Sequence, residues 1–127
     1  MKEDKRVLKT KKNLKDTFIK MLSSKPFEQV TVKELCDISN TSRVTFYTHY
    51  SDKYDLIDDI SQDMIKMAQD EYQKLQKDNN PSKDSIMSYC NFLDCILNIY
   101  YKNIRFFSHT STIENPYLNF SFYKYIL

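Results

Sequence analysis

Twenty residues, Thr31-Val-Lys-Glu-Leu-Cys-Asp-Ile-Ser-Asn-Thr-Ser-Arg-Val-Thr-Phe-Tyr-Thr-His-Tyr50, restrict the folds open to this chain more than any other stretch. Thr31 followed by Glu34 is a capping box, which predicts a helix beginning at Val32. Leu35 and Ile38 supply its buried face at helical spacing. At Asn40 the chain must turn sharply, and the sequence contains no glycine to do it. Asn tolerates the left-handed backbone conformation better than most residues, so Asn40 is expected to adopt it. Ser42 is a second N-cap candidate. Arg43, Thr45, Tyr47 and His49 then follow on a second helix, anchored by Val44, Phe46 and Tyr50. Two short helices joined by a tight turn form the grammar of a helix-turn-helix, and the second helix carries groups suited to touching DNA.

Charge supports that reading once it is divided along the chain. The overall formal charge is +2, but through Lys53 there are 12 Lys and Arg against 7 Asp and Glu, a net +5. From Tyr54 onward there are 7 against 10, a net −3. A basic N-terminal half is the electrostatic footprint of a nucleic-acid-binding domain joined to one with another task. With 41% hydrophobic and 28% charged residues the composition is that of a folded soluble protein. No apolar run approaches the roughly 20 residues of a membrane span. The N-terminus, Met1-Lys-Glu-Asp-Lys-Arg, leads into no apolar segment, so no signal peptide is expected. Cys36, Cys90 and Cys95 are an odd count in no metal-ligand spacing, which suits reduced thiols in a cytoplasmic protein. Cys90 and Cys95 read as small core residues.

The periodicity predicts an all-α chain. A first helix runs from about Lys5 to Ser24, with Leu14, Phe18, Met21 and Leu22 on one apolar face, extended backwards by Val7 and Leu8. Pro26 stops it, and Phe27 and Val30 pin the connector to the core. After the helix-turn-helix, Ser51 or Asp52 caps a helix in which Leu56, Ile57, Ile60, Met64, Met67, Ala68, Tyr72 and Leu75 keep helical period. It fades through Gln76-Lys-Asp-Asn-Asn80 to Pro81, where a further helix restarts with Ser82 as its cap. There Ile86, Tyr89, Cys90, Leu93, Ile96, Leu97, Tyr100 and Tyr101 cover more than half the circumference, so that helix is buried centrally or shared with a partner subunit. Asn115-Pro116 is a further helix start, and Tyr117 to Leu127 is an aromatic-rich end.

The run Phe27-Glu-Gln-Val-Thr-Val-Lys-Glu-Leu-Cys-Asp-Ile-Ser-Asn-Thr-Ser-Arg-Val-Thr-Phe-Tyr-Thr-His-Tyr-Ser-Asp-Lys-Tyr-Asp-Leu56 resembles the DNA-binding domain of TetR/AcrR-type transcriptional regulators. Its specific part is Thr45-Phe46-Tyr47-x-His49-Tyr50-x-x-Lys53-x-x-Leu56, and the likeness covers about residues 8 to 60. The resemblance implies a three-helix DNA-binding domain over residues 1–54. It also implies a helical effector-binding and dimerisation region over 55–127, left incomplete because members of the family run longer. It implies a homodimer on a double-stranded operator, and no cofactor. Asn40 stands where the family usually has a turn glycine, and Val44 where it often has a smaller residue.

Arg43 opens the second helix of the motif, where a guanidinium can pair with guanine O6 and N7; the bland alternative is a solvated arginine. Ser42 and Thr45 can donate to phosphate or base, and Ser42 can cap as well. Tyr47, His49 and Lys53 match positions that, by the resemblance, contact phosphates, with Thr31 beside them at a helix start. Tyr89, Phe92, Tyr100, Phe106 and Phe107 are candidates for lining an effector pocket, although aromatics at this spacing also serve as plain core. No enzymatic constellation emerges: His49 and His109 lack a Cys or Ser partner, and Asp58-Asp59 sits on an exposed helix face. The expected function is a repressor of TetR type on a palindromic operator, released by a small-molecule or protein effector. The alternatives are an activator or co-regulator under a protein partner, or a helical interaction module that does not bind DNA.

Overall fold

The computed structural model describes residues 4–110, all of it helix and connection with no strand among them. The helix expected at Asn115-Pro116 and the aromatic stretch from Tyr117 lie outside the described residues. Six α-helices follow one another: α1 (Lys5–Leu22), α2 (Val32–Ser39), α3 (Arg43–His49), α4 (Lys53–Asn79), α5 (Ser85–Lys102) and α6 (Ile104–Thr110). A single 3-10 turn, Phe27–Gln29, joins the first two.

Helix α1 buries Leu14, Phe18, Met21 and Leu22, the four residues its period marks out. Leu8 does not join them and stays half exposed. The helix ends at Leu22 rather than Ser24. The Ser23 hydroxyl donates to the Lys20 carbonyl at 2.6 Å and the Ser24 hydroxyl to the Met21 carbonyl at 3.2 Å, side-chain bonds that compete with another helical turn. Past Pro26, Phe27 and Val30 are fully buried, and the Phe27 ring meets Phe18 edge-on at 6.0 Å.

In α2 the buried residues are Leu35, Cys36 and Ser39, not Ile38, which is 59% exposed. Cysteine and serine leave little bulk between α2 and α1. The Asn13 amide crosses from α1 to donate to the Ser39 carbonyl at 2.8 Å, which fixes that face inward. Below, α4 contributes Leu56, Ile57, Ile60 and Met64 to the same core as Phe46 and Tyr50 of the helix-turn-helix. Each such side chain removed from water stabilises the fold by about 1.5–3 kcal/mol, so the N-terminal helices and the first half of α4 share one hydrophobic core. Helix α4 runs without interruption through the expected boundary between residues 54 and 55.

The connection from α4 to α5 differs from expectation. Helix α5 begins at Ser85, capped by the Asp84 carboxylate, which accepts from the Met87 amide at 2.9 Å; Ser82 is not the cap. The Asn80 side chain explains the shift, accepting from the Asp84 amide at 2.8 Å and donating to the Asp84 carbonyl at 3.0 Å. That brace holds Pro81, Ser82 and Lys83 in a turn, with Lys83 at φ 57°. The polar stretch 76–80 is therefore no frayed end. Asn91, buried on α5, donates to Gln76 Oε1 and Asn79 Oδ1, each at 2.8 Å, and the Gln76 amide donates to the Ser88 hydroxyl at 2.8 Å.

Helix α5 turns Asn91, Cys95 and Ile99 inward. Ile86, Tyr89, Leu97 and Tyr101 face outward, and Cys90, expected in the core, is exposed with them. Helix α6 returns Phe106 and Phe107 to the main core, against α1 and α5. Among the described residues no helix is long and apolar enough to cross a membrane.

Candidate nucleic-acid interface

The turn between α2 and α3 is built as its residue types demand. Asn40 adopts φ 55°, ψ 43°, the left-handed region, and closes α2. The Thr41 amide reaches back to the Cys36 carbonyl at 3.0 Å and the Asn40 amide to the Asp37 carbonyl at 3.4 Å. This pair of bonds is the Schellman arrangement usually made with glycine, and it satisfies the last carbonyls of α2. Thr31 caps the other end, its hydroxyl accepting from the Glu34 amide at 3.1 Å. The box is only half formed, because the Glu34 carboxylate pairs with Lys25 instead.

Two residues later Ser42 caps α3. Its oxygen accepts from the Thr45 amide at 3.1 Å while its hydroxyl donates to Thr45 Oγ1 at 2.8 Å. Only Phe46 is fully buried along α3, and Tyr50 follows it into the core with ring centroids 5.7 Å apart. Opposite that anchor the helix is open to solvent: Arg43, Val44, Tyr47 and Thr48 are all exposed. Val44, read from sequence as an anchor, is 79% exposed. The signal was present in the spacing, since a helix anchored at 46 and 50 puts 44 and 48 on another side. The outward face thus offers a guanidinium, a phenol, a threonine and a bare isopropyl group.

Of the predicted contact residues, Ser42, Arg43, Thr45, Tyr47 and His49 lie on α3 or at its cap, with Thr45 and His49 half buried and the others exposed. Thr31 is exposed at the start of α2. Lys53 departs from the group. Its ammonium points inward, donating to the carbonyls of Phe27 at 2.8 Å, Val30 at 2.9 Å and Glu28 at 3.4 Å, and it sits 4.4 Å from the centre of the Phe27 ring. Burial lowers its pKa and the Glu28 carboxylate opposes that shift. Three acceptors exhaust the three protons of an ammonium, so Lys53 serves here as a brace between α4 and the connector.

The five aromatics expected around an effector do not converge. Phe106 and Phe107 belong to the core, meeting edge-on at 5.3 Å, and Tyr100 stacks on Phe107 at 5.0 Å. Tyr89 stands exposed on the outer face of α5, with Phe92 half buried beside it. A depression of about 660 Å³ lies elsewhere, between α1 and α4, floored by Ile19, Ile60 and Met64 and rimmed by Lys15, Asp59 and Asp63.

Comparison with known proteins agrees with this architecture. Residues 16–60 match the bacterial regulatory proteins of the tetR family. A 51-residue stretch is 33% identical to YxbF of Bacillus subtilis (strain 168), described as an uncharacterized HTH-type transcriptional regulator. That stretch is 40% of this chain and only 13% of the relative. No solved structure matches the chain. The segment from residue 16 to residue 60, helix-turn-helix included, is similar to the DNA-binding domain of the tetR family of bacterial regulators.

Proposed function

We propose that this DNA-binding regulator acts as a repressor. Residues 1–54 read a palindromic operator as part of a homodimer, and residues 55–127 carry the effector response and the dimer contact. The observation that carries the reading is the short helix α3, seated through Phe46 and Tyr50 and presenting Arg43, Val44, Tyr47 and Thr48 outward. Such a helix enters the major groove by its first residues. Arg43 pairs with a guanine edge, and the Val44 side chain supplies the apolar contact that a thymine methyl accepts. Ser42, Thr45, Tyr47, His49 and Thr31 fix the register through phosphates.

Two features favour control by a protein partner as a second reading. Phe106 and Phe107 fill the core rather than surround a cavity, and the outer face of α5 is apolar. Binding to labelled duplexes over a salt series tests the main reading. Affinity is expected to fall steeply as salt rises. Arg43→Ala is expected to weaken a preferred duplex by about 1–3 kcal/mol while changing a random duplex much less. Salt-independent or absent binding would leave only the interaction-module alternative.

A further inference from the structure

Behind the exposed face of α3, three helices meet at one carboxylate oxygen. Tyr50, the residue that ends α3, is 4% exposed, and its hydroxyl donates to Asp59 Oδ2 on α4 at 2.7 Å. Lys15 Nζ of α1 lies 3.5 Å from that same oxygen and 2.6 Å from Asp63 Oδ2, one turn further along α4. The sequence offered Asp58-Asp59 as an exposed pair, yet Asp59 is half buried and committed on two sides.

The ionisation states hold this arrangement in place. Burial, followed by the bond to Asp59 and the charges of Asp59, Asp63 and Asp55, raises the Tyr50 pKa, so the phenol stays a donor. For Lys15, burial acts to lower the pKa, but its bonds and charge pairing with Asp63 and Asp59 outweigh it and the ammonium stays charged.

The hydroxyl does nothing for burial, since a phenylalanine ring would fill the same space. What it adds is direction. A helix of seven residues has too few internal bonds to be stiff alone, and its tilt comes from its contacts. At its first residue α3 is held by its own cap, Ser42, and at its end Tyr50 holds it to α4. We infer that Tyr50 and Asp59 are positioning residues for DNA reading: the hydroxyl–carboxylate bond sets the tilt of α3 on α4. This rests on the DNA-reading function proposed above.

Tyr50→Phe in the full chain is the direct test, because it alters neither charge nor ring volume. The probes are a duplex selected from a random pool by the unaltered chain and a scrambled duplex of equal length. The ratio of the two affinities is expected to fall about three- to tenfold, a part of the worth of one charge-assisted hydrogen bond. Amide hydrogen exchange over residues 43–49 is expected to quicken. Asp59→Asn keeps an oxygen to accept from Tyr50, so, measured where every variant is fully folded, it should retain more of the ratio than Asp59→Ala. A ratio within about twofold of the unaltered chain for Tyr50→Phe would overturn the inference. So would equal losses in the two Asp59 variants. If the unaltered chain binds no duplex, the functional reading fails, and exchange alone then judges the link: faster exchange in α3 supports it and unchanged exchange overturns it.

Discussion

At the scale of single residues, the turn at Asn40 shows how much one backbone angle decides. The left-handed conformation lets the Thr41 amide reach Cys36 and aims α3 away from α2. A chain without glycine must make this turn with a side chain present, and a short amide is the least obstructed choice. Asn40→Gly is therefore expected to fold with a thermal midpoint close to that of the unaltered chain. Asn40→Val brings a β-branched residue to φ 55° and is expected to lose about 1–3 kcal/mol of stability. Thermal melts of the two variants decide this, and coincident midpoints would remove the backbone argument. This residue was legible in advance because its demand is local. Val44 was not: its exposure depends on which side of α3 the core accepts, and two aromatic anchors four apart settle that against the valine.

At the scale of elements, helix ends were read well where a cap acts alone and less well where distant side chains intervene. Ser42 and Asp52 cap α3 and α4 as local chemistry requires, and Asp55 returns the favour to the Ser51 amide at 3.0 Å. The start of α5 was misplaced because Asn80, five residues upstream of its first residue, braces the turn. Lys53 points inward for a related reason. By position it was expected among the DNA contacts, but the carbonyls of Phe27 and Val30, at the two ends of the 3-10 turn, draw its ammonium inward. Replacing it by methionine removes the donor while keeping much of the stem. Lys53→Met is expected to destabilise the fold by about 1–3 kcal/mol, since buried carbonyls lose a charged partner. The slope of log affinity against log salt should stay unchanged, whereas a phosphate-bound lysine would take nearly one unit of slope with it. Urea unfolding measures the first quantity and a salt titration of duplex binding the second.

At the scale of the whole molecule, the two ends of the structure have opposite surfaces. The helix-turn-helix end presents polar and basic groups around one exposed valine, while α5 presents Ile86, Tyr89, Leu93, Leu97, Tyr100 and Tyr101 in succession. Periodicity gave the breadth of that apolar surface but not which part of it the core would use. Asn91, a polar residue within the apolar pattern, takes the buried position because Gln76 and Asn79 satisfy its amide. The greasier residues are left outside. Exposed apolar patches of this extent mark contact surfaces, and a symmetric operator needs two recognition helices about 34–36 Å apart. Self-association through α5 would meet both conditions, so the chain is expected to sediment as a dimer burying more than ~1,000 Å² in total. Leu97→Lys and Tyr101→Lys place like charges on both sides of a two-fold contact and should shift the chain to monomer. A clean monomer of the unaltered chain at tens of micromolar would show that α5 does not carry the pairing. Duplex affinity measured across the same concentration series would then reveal whether operator reading depends on pairing at all.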